Sequence, residues 1–449
     1  MQKTNTYTLT NCTILTVDGS DRFFPRGRMT IEGNQILRVG HEHEIPLAGE
    51  VVDLGGGLVL PGLVNTHTHS HSSLFKNQAD DLTLMDWLNK AMWPMDAHLN
   101  AQRAAAATAL SRMEYTASGI TTYCDQFYFA EAIAPVASKS GLRCMLGATI
   151  FEKPSVETED TFAAAIAFVE HWLGREEETL VYPCLGPHAP YSVSAAQFVR
   201  AAEFCRKHDV LLHTHISETQ DENDQIFAKY GKTPTQWLES LGVLENHVLA
   251  AHSIHLDEAD MRIYAKRNIH ASYNPVSNLK LVSGRMPYRT LREHGVQVSI
   301  GTDGAQSNNS MDLLRDLRTG ALIQKLAEND ATLFNAREMV RLATIEGAVA
   351  LRLDGQIGSL EPGKRADYIV LDTKSPRLVP LHRESLSNLY STVAYSACGA
   401  DVRDMAVNGK WVMKDREILT MDCDSVRNDA QEASEYLVLH SARPEARIR

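Results

Sequence analysis

The chain has 449 residues, enough for one large enzyme domain with a smaller one beside it. Its 44 Lys and Arg against 56 Asp and Glu leave a net charge of −12, which argues against nucleic acid or an anionic membrane surface as the main partner. No apolar run approaches the ~18 residues of a membrane span, the start shows no signal peptide, and the seven scattered cysteines form no close pair, so the expectation is a cytoplasmic chain with reduced thiols.

Residues 1–59 read as short strands. Segments 29–32 and 35–39 flank Gly33-Asn34, a hairpin with a tight turn. The far end reads alike: 366–371 is a strand, and Asn408-Gly409 joins a second hairpin over 404–413. Neither end has enough alternating strand to bury itself alone. The two are therefore expected to form one small, discontinuous β-sandwich from 1–59 and 363–449, the latter ending in a polar surface helix and tail.

Strand and helix alternate between 60 and 362. Strands are predicted to begin near Leu58, Gly119, Arg143, Leu180, Val210, His247, Ile269 and Val296. Thr83 and Asp86 resemble a cap ahead of Trp87-Leu88, the Ala-rich 101–113 favours helix, and Glu176-Glu177-Glu178 reads as a solvated loop or helix start. Helices are predicted near 311–328 and 336–352. Eight βα units give the fold class α/β, a (β/α)8 TIM-type barrel whose active site sits at the C-terminal ends of the strands.

Three of those ends carry metal-ligand chemistry. The runs finish as Leu63-Val-Asn-Thr-His67-Thr-His69, Leu211-Leu-His213-Thr-His215-Ile-Ser-Glu218 and Val298-Ser-Ile-Gly-Thr-Asp303. Side chains two apart on a strand share a face, so His67 and His69 can converge on one ion. Two histidines so spaced can also be simply hydrogen-bonded at a strand end, the lesser reading of the pair alone; His215 and Asp303, from other strands of the same barrel, make it a ligand set. Three His and one Asp suit Zn²⁺, and Fe²⁺ takes the same ligands, one ion per chain. An open position holds water, whose pKa the ion lowers toward ~7.

Glu218 reads as the proton shuttle, against a surface carboxylate. His252, in Ala-Ala-His252-Ser-Ile-His255, reads as the group that holds the attacking water and polarises an oxyanion, against a satisfied core histidine. His255 is the weaker candidate. Asp303 also accepts the water's proton. His188 lies in Gly-Pro-His188-Ala-Pro, held stiffly by its prolines, and reads as a contact to a substrate heteroatom, against a loop histidine bonded to backbone. Asp125 reads as structural.

At these residues the chain resembles the amidohydrolase superfamily, in particular the branch of adenosylhomocysteine/methylthioadenosine deaminases and s-triazine hydrolases. Pro61-Gly-Leu-Val-Asn-Thr-His67-Thr-His69, the segment 79–88 with Trp93-Pro94, Ser277-Asn278-Leu-Lys-Leu and Gly301-Thr-Asp303-Gly-Ala-Gln-Ser-Asn308-Asn309 carry the resemblance, which spans about 1–420. It implies a mononuclear zinc site of His67, His69, His215 and Asp303, with Glu218, His252 and Asp303 catalytic. It implies a substrate contact at His188 and one at Asp96, which stands in place of a Glu that binds a ribose diol; His71 and Asn308 are further candidate substrate-binding residues. No carbonate-bridged lysine is implied, since the fourth strand supplies His188. Homodimers or homotetramers are implied as well.

The substrate so implied is a small heterocycle, an adenine nucleoside such as methylthioadenosine, adenosine or adenosylhomocysteine. Four departures keep other readings open. Residues 144–174 lack the arginines that meet an amino-acid carboxylate, Phe75-Lys76-Asn77 replaces Leu-Arg-Gly, His71 is unusual, and Tyr273 stands where His is common. An s-triazine chloro- or aminohydrolase, or an aryl-urea or amide hydrolase, would use the same metal site. A scaffold without activity is the alternative of a different class.

Overall fold

The computed structural model describes residues 5–78, 80–82, 84–156 and 160–441. The chain forms two compact units. One comprises Met1–Asn65, Met113–Tyr123 and Asp312–Thr420; the other comprises Thr66–Arg112, Cys124–Met311 and Met421–Arg449. Among the described residues no helix is long and apolar enough to cross a membrane.

Four strands open the chain: β1 (Thr6–Leu15), β2 (Phe23–Glu32), β3 (Gln35–His41) and β4 (Glu50–Pro61). Nine follow in a second sheet: β5 (Leu63–His69), β6 (Ile120–Phe127), β7 (Arg143–Ile150), β8 (Val181–Pro187), β9 (Leu212–Ile216), β10 (Val248–His252), β11 (His270–Tyr273), β12 (Gln297–Ile300) and the two-residue β13 (Asp303–Gly304). Their spatial order is β12-β11-β10-β9-β8-β7-β6-β5-β13. Since β13 continues directly from β12 and pairs in parallel with β5, Asp303 opposite Thr68, the sheet closes on itself as a (β/α)8 barrel. Both faces of such a sheet are covered, which is why β6 and β7 are buried at every position, polar residues such as Asp125, Gln126 and Arg143 included.

Several helices between strands start at a capping side chain. Asp160 accepts from the amides of Phe162 and Ala163, Thr219 from that of Glu222, and Ser194 and Asp257 form reciprocal capping boxes. The Ala-rich segment is helical over Ala101–Ser118, and the acidic triplet starts a short exposed helix, Glu176–Thr179. The proposed cap at Thr83 lies outside the described residues. Seven of the eight strand starts fall within two residues of their expected positions. The exception is the first: Leu58 belongs to β4, and the barrel strand begins at Leu63. The run across 58–64 is interrupted only by Pro61-Gly62, so hydrophobicity alone does not separate the two strands.

The far end adds β14 (Tyr368–Leu371), β15 (Val402–Val407), β16 (Lys410–Lys414) and β17 (Glu417–Ile418). Both termini enter one sheet, ordered β17-β16-β15-β14-β4-β1-β2-β3. Only β1 and β4 pair in parallel. The second hairpin turns as its sequence demands, with Asn408 and Gly409 both at positive φ, 52° and 73°. The sheet curls over on itself: the Tyr7 ring on β1 lies 5.9 Å from Trp411 on β16, although three strands separate them in the sheet. Leu9, Met29, Ile31, Val370 and Ala406 fill the space inside. Segment 336–352 forms two helices, Ala336–Leu342 and Ile345–Ala350, because Thr344 leaves helical geometry at φ −133°, ψ −96°. The C-terminal helix runs Cys423–His440, capped by Asp422.

Candidate active site

His67 and His69 end β5, His215 lies next to the end of β9, and Asp303 opens β13, so four side chains distant in sequence meet at one end of the barrel. Asp303 Oδ1 is 3.3 Å from His67 Nε2 and 3.4 Å from His69 Nε2. His215 Nε2 is 3.3 Å from His69 Nε2. The Nδ1–H of His69 donates to Gln126 O at 2.8 Å, and that of His215 to His188 O at 2.7 Å. In a neutral imidazole only one nitrogen carries the proton. With both rings in that form the two Nε2 atoms face each other as lone pairs; burial pushes the His215 pKa well below the usual value, with the neighbouring imidazoles adding to the effect. Two lone pairs cannot bond to each other; a divalent cation between them satisfies both, and the donor set fits it.

Asp303 is built to stay ionised. Burial pushes its pKa up, but the His67 hydrogen bond and the surrounding imidazoles outweigh that and hold it well below the usual carboxylate range. Its Oδ2 accepts from Ser277 Oγ, and from Ser307 Oγ at 3.0 Å. The backbone is strained here: Asp303 has φ 60° and His252 φ 71°, left-handed values that a residue with a Cβ rarely takes.

His67, His215 and His252 form a second group of converging nitrogens. The hydrogen bonds decide between the two groups. His252 Nδ1 accepts from Asn278 Nδ2 at 2.8 Å and faces Asn274 Nδ2 at 3.3 Å, which leaves its proton on Nε2. His252 is thus a donor into the site rather than a ligand. Its Nε2 lies 3.6 Å from Glu218 Oε2. Burial raises the Glu218 pKa, with His252 opposing, and Ser283 Oγ donates to Oε1 at 3.3 Å.

Glu222, which the sequence reading passed over, holds this corner. Its Oε1 accepts from the Ser217 amide at 3.1 Å and its Oε2 from the Glu218 amide at 2.8 Å. It is 3% exposed, and burial pushes its pKa up to about 8. His255 is turned away, its Nε2 on Ser283 O at 2.7 Å. Asp125 is structural as expected, accepting from the amide and hydroxyl of Ser70 beyond His69.

Above the histidines opens a cavity of about 620 Å³ whose lining includes Glu218, His252, Asp303, His188, His71 and Asp96. Asn308 is not among the lining residues: its Nδ2 donates to Thr302 O at 2.8 Å, which ties down the turn between β12 and β13. Tyr273 does not line the cavity either. Asp96 is buried with Oδ2 accepting from Ser155 Oγ at 3.3 Å, while Oδ1 has no partner among the described residues; burial pushes its pKa up to about 7. The His71 ring lies flat on Phe127, 7° from parallel, with Nδ1 buried and without a hydrogen-bond partner among the described residues. His188 stacks on Phe151 at 4.2 Å and pairs Nδ1 with Ser192 Oγ at 2.7 Å; burial lowers its pKa to about 3.

The loop after β7 brings four further residues to the wall that the sequence reading did not single out: Phe151, Glu152, Lys153 and Ser155. Their position just past a barrel strand's C-terminal end was the available signal. Lys153 is the one Lys or Arg among the lining residues, in the stretch that lacks arginine.

Comparison with known proteins agrees with this geometry. The amidohydrolase family model matches residues 58–412. A 5-methylthioadenosine/S-adenosylhomocysteine deaminase of Syntrophobacter fumaroxidans is 38% identical over 424 residues, 93% of this chain and 95% of the relative. Among solved structures, an adenosine deaminase from Xanthomonas campestris with bound zinc superposes with a TM-score of 0.91 at 31% identity, covering 96% of this chain and 98% of that one. An atrazine chlorohydrolase from Arthrobacter aurescens, complexed with zinc, shares the fold at a TM-score of 0.85 and 22% identity, over 95% and 100% of the two chains. With a matching family model over most of its length and relatives alike from end to end, the chain belongs to the amidohydrolase family.

Proposed function

We propose that this chain is a zinc-dependent aminohydrolase of adenine nucleosides, 5′-methylthioadenosine and related 5′-modified adenosines foremost. One observation carries the reading: a carboxyl kept protonatable by burial, Glu218, and an imidazole N–H, His252, flank a cluster of metal-facing lone pairs on the wall of a nucleoside-sized cavity. The relatives named above supply the substrate class, and the zinc in the adenosine deaminase structure supplies the metal.

His67, His69, His215 and Asp303 would hold one zinc ion, which when bound lowers the pKa of water and polarises the group under attack. Water adds to the amino-bearing ring carbon. Asp303 takes one of its protons and later passes it to the departing amine. Glu218 protonates the adjacent ring nitrogen and is reprotonated by the new hydroxyl as the C–N bond breaks. Ammonia leaves and a ring carbonyl remains. His252 donates Nε2–H to the oxygen during addition. Asp96, with Ser155 on its other oxygen, would accept from the ribose diol, while His188 and His71 would meet the heterocycle.

The proposed division is a barrel domain over 60–362 and a terminal domain from 1–59 and 363–449. A cytoplasmic homo-oligomer is proposed as well; seven free cysteines suit a reducing compartment. The decisive experiment measures ammonia release from methylthioadenosine, 5′-deoxyadenosine, adenosine, adenosylhomocysteine, an s-triazine and an aryl urea. Turnover of an adenine compound supports the reading. Turnover confined to the triazine or the urea rejects it.

A further inference from the structure

The three histidines of the cluster are not anchored alike. His69 and His215 each give Nδ1–H to a main-chain carbonyl, an acceptor that comes with the fold. His67 faces a side chain instead: its Nδ1 is 2.9 Å from Nε2 of His213. His213 stands two residues before His215 on β9. Its own Nδ1 lies 3.4 Å from Cys124 Sγ on β6, and Cys124 has Cys184 as a further partner. His67, His213 and Cys124 are all 0% exposed, so bulk water cannot replace a lost partner.

The relay has two complete settings. In the first, His67 carries its proton on Nδ1 and donates it to His213 Nε2, and His213 donates from Nδ1 to Cys124 Sγ. His67 Nε2 is then a lone pair. In the second, the Cys124 thiol donates to His213 Nδ1, and His213 Nε2–H donates to His67 Nδ1. His67 then carries its proton on Nε2, which suits a hydrogen bond to Asp303 Oδ1 at 3.3 Å and forbids ligation. A cation selects the first setting, and the ease with which His213 accepts from His67 becomes part of the metal affinity.

We propose that His213, backed by Cys124, is a positioning residue that sets the tautomer of His67 and thereby how tightly the chain retains its metal. The proposal rests on the metal reading above and adds a determinant outside the ligand set.

The test uses the full-length chain loaded with zinc, with affinity read by competition against a chromophoric chelator and release followed in time. Outer partners of metal-bound histidines are worth roughly 10–100-fold in affinity, so His213→Phe, which keeps the packing and removes the acceptor, should weaken zinc by about that factor. His213→Gln, whose amide oxygen can accept from His67, should recover most of the loss. Cys124→Ala should speed zinc release by a few-fold. A purely structural role would instead lower the melting temperature of the metal-free variants and leave the affinity unchanged. Wild-type affinity in His213→Phe overturns the proposal; should that variant not fold, an unchanged release rate in Cys124→Ala overturns it. A wild-type chain that takes up no zinc overturns the metal reading as well.

Discussion

His252 Nε2 and Glu218 Oε2 face each other at 3.6 Å, and each has its protonation state arranged from behind. Asn278 keeps the His252 proton on Nε2, and burial keeps the Glu218 carboxyl protonatable. In the proposed reaction the pair gives a proton to the ring nitrogen, from Glu218, and a hydrogen bond to the adding oxygen, from His252.

Replacing Glu218 by Gln preserves size and removes the transferable proton. General acid–base groups are worth roughly 10²–10⁴-fold, so kcat should fall by that factor with zinc content and KM little changed. Steady-state ammonia release at one zinc per chain measures it. A Glu218→Gln chain that keeps more than a tenth of wild-type kcat contradicts the assigned role.

Asp96 makes nucleoside binding depend on pH. Burial pushes its pKa up to about 7, and only the carboxylate accepts from two hydroxyls at once. KM should therefore rise as pH falls below about 7, and less so for a 2′-deoxy substrate. The stability effect runs with the protonated form: because the folded pKa lies above the unfolded one, the contribution is full below ~4 and is lost as pH rises through about 7. Asp96→Asn should flatten both profiles. Hydrogen bonds to charged groups are worth about 1.5–3 kcal/mol, so its KM should exceed wild type by roughly 10–100-fold. A KM profile unchanged by the substitution would remove Asp96 from substrate binding.

Glu222 bears on rate through Glu218. Its two oxygens take the amides of Ser217 and Glu218, and Ser217 sits at φ 53°. Glu222→Gln can accept at one oxygen only and turns an NH₂ toward the other amide. Misplacement by ~1 Å costs about 10²-fold, so kcat should drop by roughly 10–100-fold while KM holds. Rates and melting curves at matched zinc content check this; equal loss in KM points to a collapsed cavity instead.

The meeting of the four proposed ligands was legible because each member ends an apolar run, and period-two geometry puts His67 and His69 on one face. The barrel was legible from the same runs. What supports the site was legible only in part: Ser277 and Asn278 stand in a motif, but nothing in the sequence shows that they meet Asp303 and His252, and Glu222 lies on a helix past a strand end with no local pattern to separate it from an ordinary polar position. His213 was visible only as part of a strand. Asn308 shows the converse failure, since motif proximity suggested a substrate contact and its carboxamide is spent on Thr302 O. Lys153 escaped notice because a loop has no period to read.

Metal removal tests the proposed ligand set, in which the Nε2 atoms of His69 and His215 converge at 3.3 Å. Chelation should abolish turnover, with zinc restoring it. Ligand linkage gives about 2.7 kcal/mol at a free zinc concentration 100 times Kd, so the metal-free chain should also melt at lower temperature. Turnover that survives exhaustive chelation sinks the reaction as drawn.

The sheet shared by both termini has a consequence for synthesis. Leu58, Val59 and Leu60 of β4 are fully buried, and β14 closes that edge of the strand. Roughly 300 residues separate Pro61 from Tyr368. At ~5–20 residues per second, the ribosome needs roughly 15–60 s to deliver the closing strand. For that interval the edge of β4 that β14 will cover has no partner from its own chain, and an unpaired apolar edge is what neighbouring chains can pair with.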